Sequence, residues 1–143
     1  METIQKSISI NAPVEKVFEY IDNPLNDPEW LIGMMEVHEV VGPPGVGRHF
    51  HWTFKMVGIP LKGQSTTIEH VPNRRTVTES QGGISSTWAA DVEPEGEGTK
   101  LTMKVDYSIP IPVLGKLAEH LIKKQNERNV VSSMENIKHL MEA

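Results

Sequence analysis

From Val113 to about Met141 the chain carries no proline, and it carries no glycine after Gly115. A run this free of helix breakers predicts one helix of about 29 residues, roughly 43 Å long. A helix stays docked when apolar side chains recur on every turn. Both ends meet that condition. Val113, Leu114, Leu117, Ala118, Leu121 and Ile122 supply the first stripe, and Val130, Val131, Met134, Ile137, Leu140 and Met141 the second. These apolar ends are expected to anchor the helix, so Leu121 is expected to be buried. Between them lies Lys123-Lys124-Gln125-Asn126-Glu127-Arg128-Asn129, polar on every face for nearly two turns. One reading is a hollow beneath the middle of the helix. Gln125 and Asn129 would face into it, on the side that continues Ala118 and Ile122. The other is a helix that bends or runs over a solvated rim.

The chain before this helix changes period several times. Thr3 to Ile10 alternates as a half-buried strand, with Ile4, Ile8 and Ile10 on one face. Pro13 suits the first position of a helix whose stripe is Val14, Val17, Phe18 and Ile21, and Asn23-Pro24 ends it. Asp27, Pro28 and Glu29 signal a second short helix that carries Trp30 and Leu31 and stops at Gly33. Strand patterns follow at 35–41, 48–57, 61–71, 76–80, 84–92 and 101–109, separated by Gly- and Pro-containing turns. The order is strand, two helices, six strands and one long helix. Short turns between consecutive strands predict antiparallel pairing, hence an α+β fold and not a doubly wound one. Phe50, Trp52, Phe54, Trp88, Met103 and Tyr107 are the large side chains expected to face the helix. They either fill the space beneath it or line it. A buried Trp or Tyr also needs a partner for its polar end.

Composition narrows the classes. A length of 143 residues is a prior for a single domain over 1–143. The absence of Cys removes disulfides, thiolate nucleophiles and Cys-ligated zinc. A net charge of −5 gives no global attraction for phosphate backbones, and Arg74-Arg75 and Lys123-Lys124 are isolated basic pairs, so no nucleic-acid partner is expected. The N-terminus lacks a basic then apolar leader, and no stretch reaches 18 apolar residues. A cytoplasmic protein without a transmembrane segment is expected, as a monomer or homodimer. Ile109 to Leu114 is apolar and sits beside Lys116. It reads as packing against the sheet edge or as a gate making weak peripheral contact with a membrane.

Residues for known catalytic chemistries are not brought together by the sequence. No Gly-x-Ser-x-Gly occurs around Ser85, Ser86, Ser132 or Ser133. The segment Gly42 to Gly47 lacks the Lys and Ser/Thr of a phosphate loop, and its prolines remove amide donors. His49 and His51 share one strand face but need a third ligand from His38 or His70. That face is opposite Phe50, Trp52 and Phe54, so they read as solvated, and neither metal nor cofactor is expected. Glu69, Glu79, Asp91 and Asp106 are candidate acids by type alone, and no catalytic residue is assigned.

Several segments are similar to the START/birch-pollen-allergen superfamily, also called SRPBCC, and within it to the polyketide-cyclase/dehydrase-like group. They are Ile8-Ser9-Ile10-Asn11-Ala12-Pro13-Val14-Glu15-Lys16-Val17-Phe18-Glu19-Tyr20-Ile21, Pro28-Glu29-Trp30, Val46-Gly47-Arg48 and Gly98-Thr99-Lys100-Leu101-Thr102. The resemblance implies a helix-grip: a seven-stranded antiparallel sheet curled around the long C-terminal helix, closed by two short helices after strand 1. It also implies an apolar cavity of the kind that binds lipids, sterols, quinones, polyketides or plant hormones. The expected function is therefore binding of a hydrophobic small molecule, lined by Trp52, Phe54, Trp88, Met103, Tyr107, Gln125 and Asn129. The alternatives are a cyclase- or dehydratase-like enzyme using the same cavity, and a protein-interaction module with the cavity collapsed.

Overall fold

A computed structural model describes residues 1–108 and 115–143. Its elements are β1 (Glu2–Ile10), α1 (Val14–Asp22), a 3-10 turn (Pro24–Asn26), α2 (Asp27–Trp30), β2 (Met34–Val41), β3 (His49–Met56), β4 (Ile59–Val71), β5 (Arg75–Gly82), β6 (Ser86–Glu95), β7 (Gly98–Tyr107) and α3 (Lys116–Glu142). The strands form one antiparallel sheet in the order β1-β7-β6-β5-β4-β3-β2. This is the helix-grip α+β architecture. Register shifts interrupt the β2–β3 and β4–β5 ladders. Bulges of this kind add twist and help a sheet to curl. The segment 109–114, read above as strand end, gate and helix start, lies outside the described residues.

The helical signals hold with small shifts. α1 buries Val14, Val17, Phe18 and Ile21, with Pro13 just ahead of its first turn. α2 is a single turn and ends at Trp30, short of Gly33. Gly33 adopts φ +97°, and a Cβ there would lie 2.8 Å from the Phe54 ring and 2.9 Å from the Lys55 carbonyl oxygen. The chain therefore needs glycine to enter β2 beneath Phe54.

The long helix is docked by one end. Val130, Ser133, Met134, Ile137 and Met141 are buried, whereas Leu117 is 73% exposed and Leu121 59%. The expectation that Leu121 anchors the helix is corrected. Leu117, Leu121 and Gln125 follow one another at intervals of four, along the outward side of α3. The polar middle serves two purposes. Glu127 pairs with Lys6 at 2.8 Å and Lys123 with Glu2 at 3.1 Å, clasping α3 to β1. Asn126 and Asn129 turn toward the sheet.

Apolar burial divides into two clusters. One joins α1, Trp30, β1, β6, β7 and the C-terminal half of α3 around Leu101, Met103 and Ile137. The other gathers Phe50, Trp52, Met56 and Ile84, with Phe54, Met34 and Leu61 against them. The space between the clusters is where the site lies.

Candidate functional site

Side-chain size explains the space. Paired residues run across the concave face as Tyr107, Ser86, Ser80, Ser65 and Phe50, and beside them as Ile4, Val105, Trp88, Thr78 and Thr67. The outer strands present large groups in these rows, while β4, β5 and, at Ser86, β6 present hydroxyl residues. Small side chains in the middle of a curled sheet leave volume that the flanking aromatics do not fill. Ser65 and Ser80 hydrogen-bond to each other at 2.6 Å, and the Trp52 indole N–H donates to the Ser65 Oγ at 3.0 Å. Trp52 is only 3% exposed, and its polar end is satisfied inside the protein. Gly63 lets its ring lie flat on β4. A Cβ there would meet the ring at 2.3 Å and the Gln81 carbonyl oxygen at 2.5 Å.

The resulting hollow has two chambers. The first, about 90 Å³, lies between the sheet and α3. Its walls are Ile4, Trp52, Phe54, Met56, Ile84, Trp88 and Val105, closed by Val130 from the helix. Polar atoms enter from Tyr107, Asn126, Asn129, Ser86 and Ser133. Asn126 donates to the Tyr107 hydroxyl at 3.1 Å. Burial raises the Tyr107 pKa, and the Asn126 contact works against that. Ser133 donates to the Asn129 carbonyl and accepts from the Ile32 amide at 2.9 Å, tying α3 to the loop after α2.

The second chamber, about 100 Å³, sits under α1 and α2. Leu31, Met34 and Trp88 border both chambers, so these three side chains form the partition. Trp30 meets Trp88 edge to face, with centroids 6.2 Å apart. This chamber is more polar than the first, although Phe50, Ala90 and Met103 share its walls. Asp22, Asp27, Arg48, Thr67, Thr76 and Thr78 line it. Burial holds the Asp27 carboxyl well above the ordinary carboxylate range, while the nearby Trp30 indole and Arg48 guanidinium oppose that shift. Arg48 donates through Nη1 to the Asp22 carbonyl at 3.2 Å, and the Asp22 carboxylate is held by His70 at 2.9 Å. Among the described residues the Trp30 Nε1 and Arg48 Nε are buried without a hydrogen bond of good geometry, although the Trp30 N–H lies near enough to the Asp27 carboxyl to favour its charged form.

The fold and this cavity agree with the comparisons. A family model described as polyketide cyclase / dehydrase and lipid transport matches residues 1–142. The chain belongs to this family. No curated protein sequence matches it. Among solved structures, a Thermus thermophilus protein superposes with a TM-score of 0.82 at 23% identity, covering 96% of this chain and 95% of that one. An aromatase/cyclase from Streptomyces gives 0.77 at 16% identity, covering 99% and 93%. A START superfamily protein from Mycobacterium smegmatis gives 0.77 at 14%, covering 96% and 97%. At these identities the neighbours share the fold.

Within this polyketide cyclase-like chain the sequence-derived residues separate. Trp52, Phe54, Trp88, Tyr107 and Asn129 border the first chamber together. Met103 borders the second. Gln125 does not enter: it is exposed and donates to the Asn129 Oδ1 at 2.9 Å. The inward residue is Asn126, which continues the stripe of Ala118 and Ile122 at i+4. With no apolar marker between 123 and 129, the phase of the helix is open by one position. Asp27 and Arg48 went unremarked as site residues. Asp27 looked like a helix cap, and Arg48 like the residue that opens a strand.

The other candidates lie elsewhere. His51 pairs with Glu39 at 3.2 Å and stacks on His38 at 5.7 Å, on the sheet side away from the chambers. Asp91 pairs with Arg75 at 2.7 Å, and Asp106 accepts from the Thr3 hydroxyl. Among the described residues no group of three or more His, Asp or Glu is placed to hold a metal. No described helix is long and apolar enough to cross a membrane.

Proposed function

We propose that this protein binds a hydrophobic small molecule in the chamber between the sheet and α3. The supporting observation is the split of the core into two apolar clusters with an apolar-walled hollow between them. Walls such as Trp52, Phe54, Trp88 and Ile84 supply affinity by removing ligand surface from water, at about 25 cal/mol per Å² before association costs. Asn126, Asn129 and Tyr107 are few and gathered at one side of the apolar walls, and a small number of placed polar groups is what orients ligands in small-molecule sites. All three tryptophans of the chain border one chamber or the other. Intrinsic fluorescence should therefore respond to occupancy. The test is a titration of the purified protein with fatty acids, quinones, flavonoids and a hydrophobic dye. Saturable quenching by at least one class below about 100 μM, roughly −5.5 kcal/mol, is expected. If no compound binds in that range, the reading fails and an interaction module takes its place.

A specific observation also supports a second reading, the cyclase- or dehydratase-like enzyme. A desolvated carboxyl with a raised pKa beside an Arg in a cavity is the kind of group that serves as a general acid. Asp27 meets that description. An enzyme requires turnover of a polyketide-like substrate that Asp27→Asn abolishes while binding persists.

A further inference from the structure

We infer that the polar chamber receives the carboxylate head of an amphipathic acid whose apolar body lies in the first chamber. This rests on the ligand-binding reading above and names the ligand's class.

The inference starts from two donors that make no hydrogen bond of good geometry among the described residues, the Trp30 N–H having only a loose approach to the Asp27 carboxyl. The Trp30 Nε1–H and the Arg48 Nε–H are both buried and border the same chamber. Trp30 as a whole is 5% exposed. A buried N–H left without a partner costs stability, so a cavity that gathers two of them is complementary to oxygen acceptors. The charge balance then selects the kind of oxygen. Arg48 is a permanent cation. Among the described residues Arg48 makes no ion pair: its one hydrogen bond goes to the Asp22 backbone carbonyl, and the Asp22 carboxylate pairs with His70. Asp27, the other acid in the chamber, is disposed by burial to its neutral form. A ligand carboxylate would form charge-assisted hydrogen bonds with the guanidinium, which are shorter and stronger than neutral ones. The threonine hydroxyls of Thr76 and Thr78 line the same space and supply further donors.

Chamber size sets the length of the molecule. Each chamber, at about 90 and 100 Å³, is smaller than the roughly 150 Å³ cavity that holds one benzene. A sterol or a long acyl chain does not fit in this conformation. A single ring on a short, acid-ended chain fits only by occupying both chambers, about 190 Å³ together, with the Trp88 partition displaced.

The test uses phenylbutyrate and its primary amide, which match in shape and differ in head-group charge, with binding followed by calorimetry. The acid is expected to bind at least tenfold more tightly than the amide in the parent protein. Arg48→Gln should remove that preference while leaving amide affinity within about twofold. Trp30→Phe should weaken both compounds severalfold, because both present an acceptor oxygen to the indole N–H. Thermal unfolding by circular dichroism checks that each variant folds. Should Arg48→Gln fail to fold, the acid-to-amide ratio in the parent and in Trp30→Phe still decides the matter. Equal binding of acid and amide in the parent, or an acid preference that survives Arg48→Gln, overturns the head-group inference and leaves the apolar site standing. If neither compound binds, and the wider panel is also silent, the ligand-binding reading falls with it.

Discussion

The two chambers share a partition and differ in almost everything else. The one beneath α3 is walled by side chains that satisfy their own polar atoms: Trp52 on Ser65, Tyr107 on Asn126, Ser133 on Asn129. The one beneath α1 and α2 keeps two donors that make no hydrogen bond of good geometry among the described residues, and a carboxyl that burial pushes toward neutrality. The difference is traceable to the elements that close each space. α3 covers the first with an amphipathic helix in register with large sheet residues. The second is covered by α1, the 3-10 turn and α2, whose short turns bring in Asp22 and Asp27, and by Arg48 at the entry to β3. A chamber closed by polar turns acquires chemistry, whereas one closed by a packed helix acquires shape.

Removing the partition should have the largest effect. Trp88→Ala deletes a large side chain that borders both chambers, and should cost toward the low end of about 3–5 kcal/mol because Trp88 is only half-buried. Chemical denaturation measures that loss. If the variant folds, it should accept larger apolar ligands than the parent, and unchanged size selectivity would show that Trp88 does not divide the space.

Gly63→Ala attacks the wall of the apolar chamber alone. Its Cβ would collide with the Trp52 ring and with a backbone oxygen, so one of them must move. Overpacking of this kind costs about 1–3 kcal/mol. The expected signs are a lower Tm and a shifted Trp52 emission, with Arg48-dependent acid preference retained.

The polar chamber is probed by pH. The Asp27 carboxyl has a folded-state pKa above its unfolded value of about 3.9. The native state then holds the proton more tightly than the unfolded state does. Stability linked to this group is present below about pH 4 and is lost as pH rises from there through the folded-state pKa. Asp27→Asn should flatten that part of the stability–pH curve and should stabilise the protein at neutral pH. An unchanged curve would remove Asp27 from the buried polar set.

Leu121→Ala should produce the smallest change, within about 0.5 kcal/mol, because the side chain is 59% exposed and borders neither chamber. A loss of 2 kcal/mol or more would mean that the N-terminal half of α3 packs against the protein after all.

What was legible in the sequence follows the same division. Alternation placed Phe50, Trp52, Phe54 and Met56 on one side of β3, and large residues on β6 and β7 opposite the helix, because period-two patterns are strong where one face is buried. The apolar chamber was thus foreshadowed through most of its walls. The hydroxyl residues that open the second chamber were not, since Ser65, Thr67, Thr76 and Thr78 read merely as polar strand residues. Their smallness matters only once the register sets them side by side. The same holds for Asp27 and Trp30 of α2 and for Arg48 before β3, which are distant in sequence and acquire meaning only when they border one chamber. The helix phase failed within the stretch that lacks apolar markers, substituting Gln125 for Asn126. The outward slant of Leu117 and Leu121 was hidden because an apolar stripe does not reveal whether anything lies beneath it.

The central claim is that a small apolar molecule enters between the sheet and α3, and methyl-resolved NMR tests it most directly. Toluene would be titrated into protein labelled at its Ile, Leu and Val methyls. The account predicts saturable shifts concentrated at Ile4, Ile84, Val105 and Val130, which wall the apolar chamber, with Leu117, Leu121 and Ile68 unmoved. Shifts confined to the exposed methyls, or none at all up to saturation of toluene in water, would contradict it.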